Sequence, residues 1–161
     1  MFPRDFRVNK HNINAFFLML IGYLTETKDD HNDTLRMFKR WQKYVATGTI
    51  KGIDLGKGLL FLPNTPLERM MDSHGVYFLE DNGKPNADLW QCTSNPSLDV
   101  GERIRRRVET HEEAIKYNWP IWRGAQRLDS VKLMTDNYYN IILNRPNVAI
   151  KTKDENLNFF E

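Results

Sequence analysis

The chain is poor in cysteine and has no long hydrophobic run. Cys92 is the only cysteine among its 161 residues, which excludes an intramolecular disulfide and any metal site built from several thiolates. The most apolar stretch covers residues 16–24, far fewer than the ~20 residues that a membrane-spanning helix needs. Residues 25–28 after it are not the small residues of a signal-peptide cleavage site. We therefore expect a soluble protein in a reducing, intracellular setting.

An excess of charge of one sign is also missing. The chain has 23 Lys and Arg against 21 Asp and Glu, a formal net charge of +2. Such a balance provides no overall attraction to nucleic acid or to a membrane surface. Any contact with an anionic partner has to come from a local patch.

What the chain does have is apolar and aromatic material. Hydrophobic residues make up 40 % of it and aromatic residues 12 %, including four Trp, six Tyr and nine Phe. This is enough for the core of one ordinary domain. We therefore expect residues 1–161 to form a single domain, with an extended N-terminal arm at 1–10 and a C-terminal tail at 153–161.

The hydrophobic periodicity predicts an α+β fold, a small mixed domain with about four helices, a β-hairpin and a few short strands. Helices are expected at 12–25, between Asp29 and Gly48, at 66–74 and at 98–117. The first rests on apolar residues that recur at helical spacing from Ile13 to Leu24. The second has aspartates at its start and basic residues towards its end, which is the order that the helix macrodipole favours.

The start of the third helix is the clearest local signal. The sequence Thr65-Pro66-Leu67-Glu68 matches a capping box with proline at the first helical position. Gly75 suits the left-handed residue that follows a helix end. These features predict a short helix with both ends defined by local chemistry.

Strands are predicted on either side of this helix. The glycine-rich stretch 49–62 indicates one or two short strands, the second of them buried. Residues 76–80 have the composition of a strand, 81–83 that of a turn, and 87–93 that of a return strand. Together they predict a β-hairpin.

The stretch 125–143 is ambiguous. Its apolar residues fit one helix, and they also fit two strands around Asp136 and Asn137. A helix first and a strand last is the favoured interpretation, with a further short strand at 148–152.

Arginine is concentrated on the last predicted helix, where Arg103, Arg105, Arg106 and Arg107 fall within five residues. Periodicity predicts an apolar stripe on one side of this helix, with Arg103, Arg106 and Arg107 facing away from it. The stripe consists of Val100, Ile104, Val108, His111 and Ile115. A cluster of this kind can contact phosphate groups.

The acids around these arginines favour a different interpretation. Residues 99–113 contain four arginines and five acidic residues. Asp99–Arg103 and Glu102–Arg106 have the acid-first i,i+4 spacing that stabilises a helix. A solvated helix face that pairs with itself is therefore preferred to a phosphate-binding surface.

A second basic face is the better candidate for an anionic partner. It consists of Arg36, Lys39, Arg40 and Lys43 in the second predicted helix, where fewer acids offset the charge. We add Arg107 to these four as the predicted contacts of an anionic partner. The helix macrodipole alone also accounts for basic residues at this end.

One segment is similar in order to the start of a GIY-YIG nuclease domain. Gly75-Val76-Tyr77 is followed by a turn, a strand and then a helix with arginines. In that family a strand tyrosine and a helix arginine flank the scissile phosphate, so the resemblance implies Tyr77, Arg103 and Arg106 as catalytic residues. The second motif would fall at 89–92, which has neither its tyrosine nor its glycine.

Histidine and serine provide no further catalytic pattern. The four histidines are His11, His31, His74 and His111. None lies in an HExxH motif, and no third ligand accompanies the pairs at 29–31 and 72–74, so no metal or cofactor is expected. Asp72-Ser73-His74 has the residue types of a hydrolytic triad, but triads are assembled by folding rather than by adjacency.

Aromatic residues at the ends of the chain and two tryptophans are the candidates for a protein interface. These candidates are Phe2, Phe6, Trp119, Trp122, Phe159 and Phe160. Internal packing is the competing interpretation for each tryptophan. Since no catalytic constellation is evident, the sequence favours a non-enzymatic structural or interaction subunit of a larger protein assembly, either an oligomer or a hetero-assembly.

Two alternatives belong to other classes. The first is a nucleic-acid-binding protein that uses the basic helix faces, with a nuclease-like version built on Tyr77. The second, less favoured, is a hydrolase around Asp72 and His74.

Overall fold

The computed structural model describes residues 13–55, 59, 61, 64–81 and 84–122. This part of the chain contains three helices and four strands. In chain order they are β1 (Ala15–Leu18), α1 (Lys28–Ala46), β2 (Ile50–Asp54), α2 (Pro66–His74), β3 (Val76–Asp81), β4 (Lys84–Cys92) and α3 (Val100–Lys116). The mixed α+β class is confirmed, whereas the described residues contain three helices where about four were predicted.

The predicted helix at 12–25 is wrong. Ala15–Leu18 is strand β1, and it pairs in parallel with β2, with Phe17 opposite Ile53. A short apolar run fits a helical period and a strand period almost equally well, and here pairing with β2 decides between them. Gly22 then has φ 83°, in the left-handed region that favours glycine and interrupts a helix.

Helix α1 begins and ends where its charges predict. The Thr27 hydroxyl accepts a hydrogen bond from the Asp30 backbone N–H at 3.1 Å, and the Asp30 carboxylate accepts one from the Thr27 backbone N–H at 2.9 Å. These contacts with Thr27 lower the pKa of Asp30. Gly48, just past the C-terminal end, has φ 72°, as the prediction that it ends the helix requires.

The predictions for α2 and the hairpin are confirmed. The Thr65 hydroxyl accepts from the Glu68 N–H at 3.3 Å, while Glu68 reaches back to the N–H of Asn64 at 2.7 Å. Gly75 follows α2 with φ 58°. Strands β3 and β4 pair antiparallel, and the return strand begins at Lys84, a few residues before the predicted position.

Three apolar clusters hold these elements together. The first lies between α1, β2 and the residues that follow α3, and contains Met37, Phe38, Trp41, Ile50, Ile53, Leu55, Ala114 and Trp119. The second joins α2 to the hairpin through Leu24, Leu59, Phe61, Met71, Phe78, Trp90 and Cys92. The third packs the hairpin against α3 through Leu79, Leu89, Val100 and Ile104. Helix α3 contributes to the first and third clusters and so lies between the two halves of the fold.

Several predictions fall outside the described residues. They are the arm at 1–10, the helix or strands at 125–143, the strand at 148–152 and the tail at 153–161. Within 49–62, β2 confirms the first predicted strand, and the three described residues beyond it, Leu55, Leu59 and Phe61, are buried but not in a strand.

Candidate interaction surfaces

The arginines of α3 do not face away from the core as predicted. Arg103, Arg106 and Arg107 are only 5 %, 4 % and 5 % exposed, and Arg105 is the one exposed arginine of the group. The prediction assumed a helix with a single buried side. Because α3 packs against α1 on one side and against the hairpin on the other, its buried surface extends over the arginines as well.

Arg103 connects α3 to the hairpin. Its guanidinium donates to the carbonyl of Trp90 at 2.6 Å and to that of Leu98 at 3.0 Å, and it lies 3.7 Å from the centroid of the Trp90 ring. A Cβ atom on Gly22 would lie 2.6 Å from the Arg103 Cδ, so the glycine leaves room for this side chain. The predicted pair with Asp99 is replaced by a helix cap, in which Asp99 accepts from the Glu102 N–H at 2.7 Å.

Arg106 connects α3 to the segment before α1. Its Nε donates to Glu102 Oε1 at 2.8 Å, so the predicted Glu102–Arg106 pair is present. Its Nη1 donates to Glu26 Oε1 at 2.8 Å and to the carbonyls of Glu26 at 3.3 Å and Thr27 at 3.1 Å. Burial acts to lower the pKa of Arg106, but hydrogen bonds to Glu102 and Glu26 outweigh it and raise the pKa. This side chain therefore stays charged inside the protein.

Glu102 is the shared acceptor of two arginines. Arg105 donates to both of its carboxylate oxygens at 2.7 Å, and Arg106 donates to one of them. The hydrogen bonds from Arg105, with a further contribution from Arg106, lower the pKa of Glu102 to about 2 against the opposing effect of burial. Arg105 and Arg106 thus form ion pairs within the protein, and one of these is a predicted pair. The predicted solvated face is wrong, because Arg103, Arg106 and Arg107 are buried.

Two histidines belong to this buried region. His31 is 2 % exposed, with its Nε2 2.9 Å from Glu109 Oε2 and its Nδ1 4.0 Å from Glu26 Oε1. The Nδ1 of His111 lies 3.0 Å from the carbonyl oxygen of Arg107. Both rings are buried. In the described part of the chain, no group of three or more His, Cys, Asp or Glu is arranged to hold a metal ion.

A cleft of about 710 Å³ lies between the segment before α1, the segment after β4 and α3. His74 lines it, and its Nδ1 lies 2.9 Å from the hydroxyl of Ser94. The hydroxyl of Ser73 instead donates to the carbonyl of Met70 at 2.9 Å. Ser73 and His74 therefore have different partners, and this arrangement gives no support to a triad of adjacent residues.

The residues implied by the nuclease resemblance are not arranged as one open site. Tyr77 donates from its hydroxyl to Gln91 Oε1 at 2.6 Å, across the pair of strands. Arg103 and Arg106 are buried and bound to the groups named above. The order of hairpin and helix agrees with the resemblance, and a catalytic role for Tyr77, Arg103 and Arg106 stays a prediction.

The basic face of α1 is exposed. Arg36, Lys39, Arg40 and Lys43 all lie on the outer side of the helix. Within the described part of the chain, Arg36 alone of the four pairs with a carboxylate, that of Asp33. Arg107, which the sequence analysis grouped with them, is buried on α3 and is not part of this surface.

An apolar surface lies on β1. Residues alternate along the strand, so that Phe17 contacts the rings of Trp41 and Trp119 in the core, each at 5.5 Å between centroids. Phe16 and Leu18 point the other way and are 46 % and 79 % exposed. Leu20 and Trp122 extend this exposed set at 49 % and 55 %. We call the four residues Phe16, Leu18, Leu20 and Trp122 the β1 face.

Three contacts position Phe16 and Trp122 on the β1 face. The ring of Trp122 meets that of Phe16 edge to face, with 5.6 Å between centroids. Gly52 lies beneath Phe16, and a Cβ atom there would come within 2.5 Å of the ring. The backbone N–H of Trp122 donates to the carbonyl of Ile53 at 2.9 Å, which fixes the chain beside β2.

The predicted interface residues divide into three groups. Trp122 is exposed on the β1 face. Trp119 is buried in the first cluster, where its indole N–H donates to the carbonyl of Phe38 at 3.1 Å, so internal packing applies to it. Phe2, Phe6, Phe159 and Phe160 lie outside the described residues.

The face was not predicted from the sequence, because the predicted helix at 12–25 included Phe16, Leu18 and Leu20. Assignment of a strand would have placed them on one face, because successive side chains of a strand lie on opposite faces.

No protein-family model, curated protein or solved structure matches this chain. None of the helices in the described ranges has the length and apolar character needed to cross a membrane.

Proposed function

We propose that this protein is a non-enzymatic structural or interaction subunit of a larger protein assembly, and that it contacts its partner through the β1 face. The observation that supports this proposal is the exposure of four large apolar side chains on β1 and in the segments beside its sheet. Exposed apolar patches on folded proteins often mark interaction sites.

The composition of the β1 face agrees with this role. Phe and Trp are among the residues enriched where interfaces are buried. Full burial of a Leu or Phe side chain stabilises by roughly 1.5–3 kcal/mol, and Leu18 begins 79 % exposed. Burial of the Leu18 side chain by a partner therefore contributes much of that stabilisation to the complex.

A comparison of two lysine variants tests the proposal. The affinity-tagged chain is recovered from its native source, and retained proteins are identified by mass spectrometry for wild type, Leu18→Lys and Ile115→Lys. Ile115 is 52 % exposed on α3, so it controls for placing a lysine on any exposed apolar residue. We expect partners that remain with wild type and Ile115→Lys but disappear from Leu18→Lys. The same set of proteins in all three samples, with equal amounts of untagged copies of the chain, would contradict the proposal.

The basic face of α1 supports a second candidate, a nucleic-acid-binding protein. Among the described residues, Lys39, Arg40 and Lys43 do not pair with a carboxylate, and such side chains can neutralise phosphates, which gives affinity that falls with salt. Fluorescence anisotropy with labelled DNA and RNA at several salt concentrations measures this. We expect binding to weaken when Arg36, Lys39, Arg40 and Lys43 are changed to Ala, and to persist in a control with Arg69→Ala and Lys116→Ala. The nuclease-like version further requires metal-dependent cleavage that Tyr77→Phe abolishes.

A further inference from the structure

The backbone of β1 has an open edge among the described residues. The strand pairs with β2 on one side, where the N–H groups of Ala15 and Met19 donate to the carbonyls of Thr49 and Asp54, each at 2.8 Å. Successive residues of a strand direct their backbone groups to opposite edges. The N–H and C=O groups of Phe16 and Leu18 therefore point away from β2.

This edge lacks the charged residues and prolines that often prevent strands from pairing with other chains. Proteins protect exposed edges with charged residues or proline. From Asn12 to Thr25 the sequence contains no Asp, Glu, Lys, Arg or Pro. The residues whose backbone groups point outward, Phe16 and Leu18, also carry the exposed side chains of the β1 face. An open edge and an apolar face thus coincide in one short strand.

We propose that the partner at this edge is a second copy of the chain, with the two β1 strands antiparallel around a two-fold axis near Phe17. This inference rests on the proposed function and names the partner at the same face. Around such an axis, Phe16 lies opposite Leu18 of the second copy, and the outward backbone groups of these residues bond reciprocally.

The chemistry of the edge favours an identical partner. A two-fold interface brings the same surface patch together from both copies, so any charge on the patch would face its like. The absence of charge from the strand and its flanks removes that repulsion. On the exposed side of the joined sheet, Phe16 and Leu18 of each copy form cross-strand pairs of an aromatic and an aliphatic side chain, which stabilise antiparallel sheets.

Sedimentation velocity over a range of concentrations tests the dimer, with wild type, Leu18→Lys and Ile115→Lys compared. We expect wild type and Ile115→Lys to be dimers, and Leu18→Lys to be a monomer with an unchanged circular dichroism spectrum. A second variant, Leu18→Pro, removes an N–H that the pairing with β2 does not use. It is also expected to be a monomer, because it blocks the edge rather than the face.

The other outcomes overturn the inference. A wild-type monomer at every concentration excludes a second copy, and a dimer that survives both Leu18 variants lies elsewhere on the surface. If wild type is a monomer and Leu18→Lys lowers its melting temperature, another part of the same chain covers the face. If wild type is a monomer and still retains a different protein through Leu18, the dimer is excluded while the proposed function stands.

Discussion

Replacing Arg106 by methionine tests whether the buried arginine cluster is structural. The change keeps most of the side-chain volume and removes the charge, leaving the carboxylate of Glu26, itself only 13 % exposed, without the Arg106 guanidinium. The carbonyls of Glu26 and Thr27 lose the same donor. Removing one partner of a buried ion pair typically costs 3–5 kcal/mol, and because Glu102 keeps Arg105 we expect about 3 kcal/mol here.

The neighbouring residue provides the control. Arg105 pairs with Glu102 and Glu109 on the same helix, but it is 47 % exposed. An exposed pair contributes roughly 0–1 kcal/mol, so Arg105→Met should lower the free energy of unfolding by no more than that. Urea denaturation followed by circular dichroism measures both variants. Equal losses for Arg105→Met and Arg106→Met would refute the reasoning, because burial would then have no influence on the contribution of the ion pair.

Two more predictions concern single residues. The pKa of Glu102 is about 2 in the fold and 4.5 for an ordinary glutamate. Because a lowered carboxyl pKa stabilises the fold fully above the ordinary value and progressively less as pH falls towards the folded value, the stability difference between wild type and Glu102→Gln should shrink between pH 5 and pH 2. After allowance for solvent screening, the free energy of unfolding that the Glu102 carboxylate contributes falls by about 1 kcal/mol over this range. A difference between the two proteins that does not change with pH in urea titrations would contradict this prediction. Gly22→Ala should destabilise by about 2 kcal/mol or more, since it combines positive φ with the Arg103 contact. Gly48→Ala, at φ 72° but with its nearest contact 3.4 Å away, should cost less in the same assay, and equal costs would show that the Arg103 contact is unimportant.

The elements that were predicted correctly are those whose signals are local. The start of α2 is defined by Thr65 and Glu68, and its end by Gly75, within a few bonds of the groups that they contact. The hairpin likewise follows from residues adjacent in sequence. Such signals can be read from the sequence because the partners are fixed by the chain itself.

The errors arose where distant partners decide the outcome. Residues 15–18 became a strand because β2, which begins at Ile50, pairs with them. Arg103 and Arg106 are buried because Glu26 and the carbonyls of Trp90, Leu98 and Thr27 lie in the right places to bind them. A sequence shows that arginine is present and that acids are close by, but not which carbonyl groups the fold will direct at it.

The buried cluster and the β1 face are parts of one arrangement. Besides binding Arg106, the Glu26 carboxylate accepts the backbone N–H groups of Gly22 at 2.7 Å and Tyr23 at 3.3 Å. Gly22 follows Leu20 by two residues, so this carboxylate fixes the chain where it leaves β1. Through Glu26, Arg106 therefore helps to position the segment that follows β1. It follows that Arg106→Met should weaken association through the β1 face even though Arg106 lies on α3, whereas Arg105→Met should leave that association unchanged.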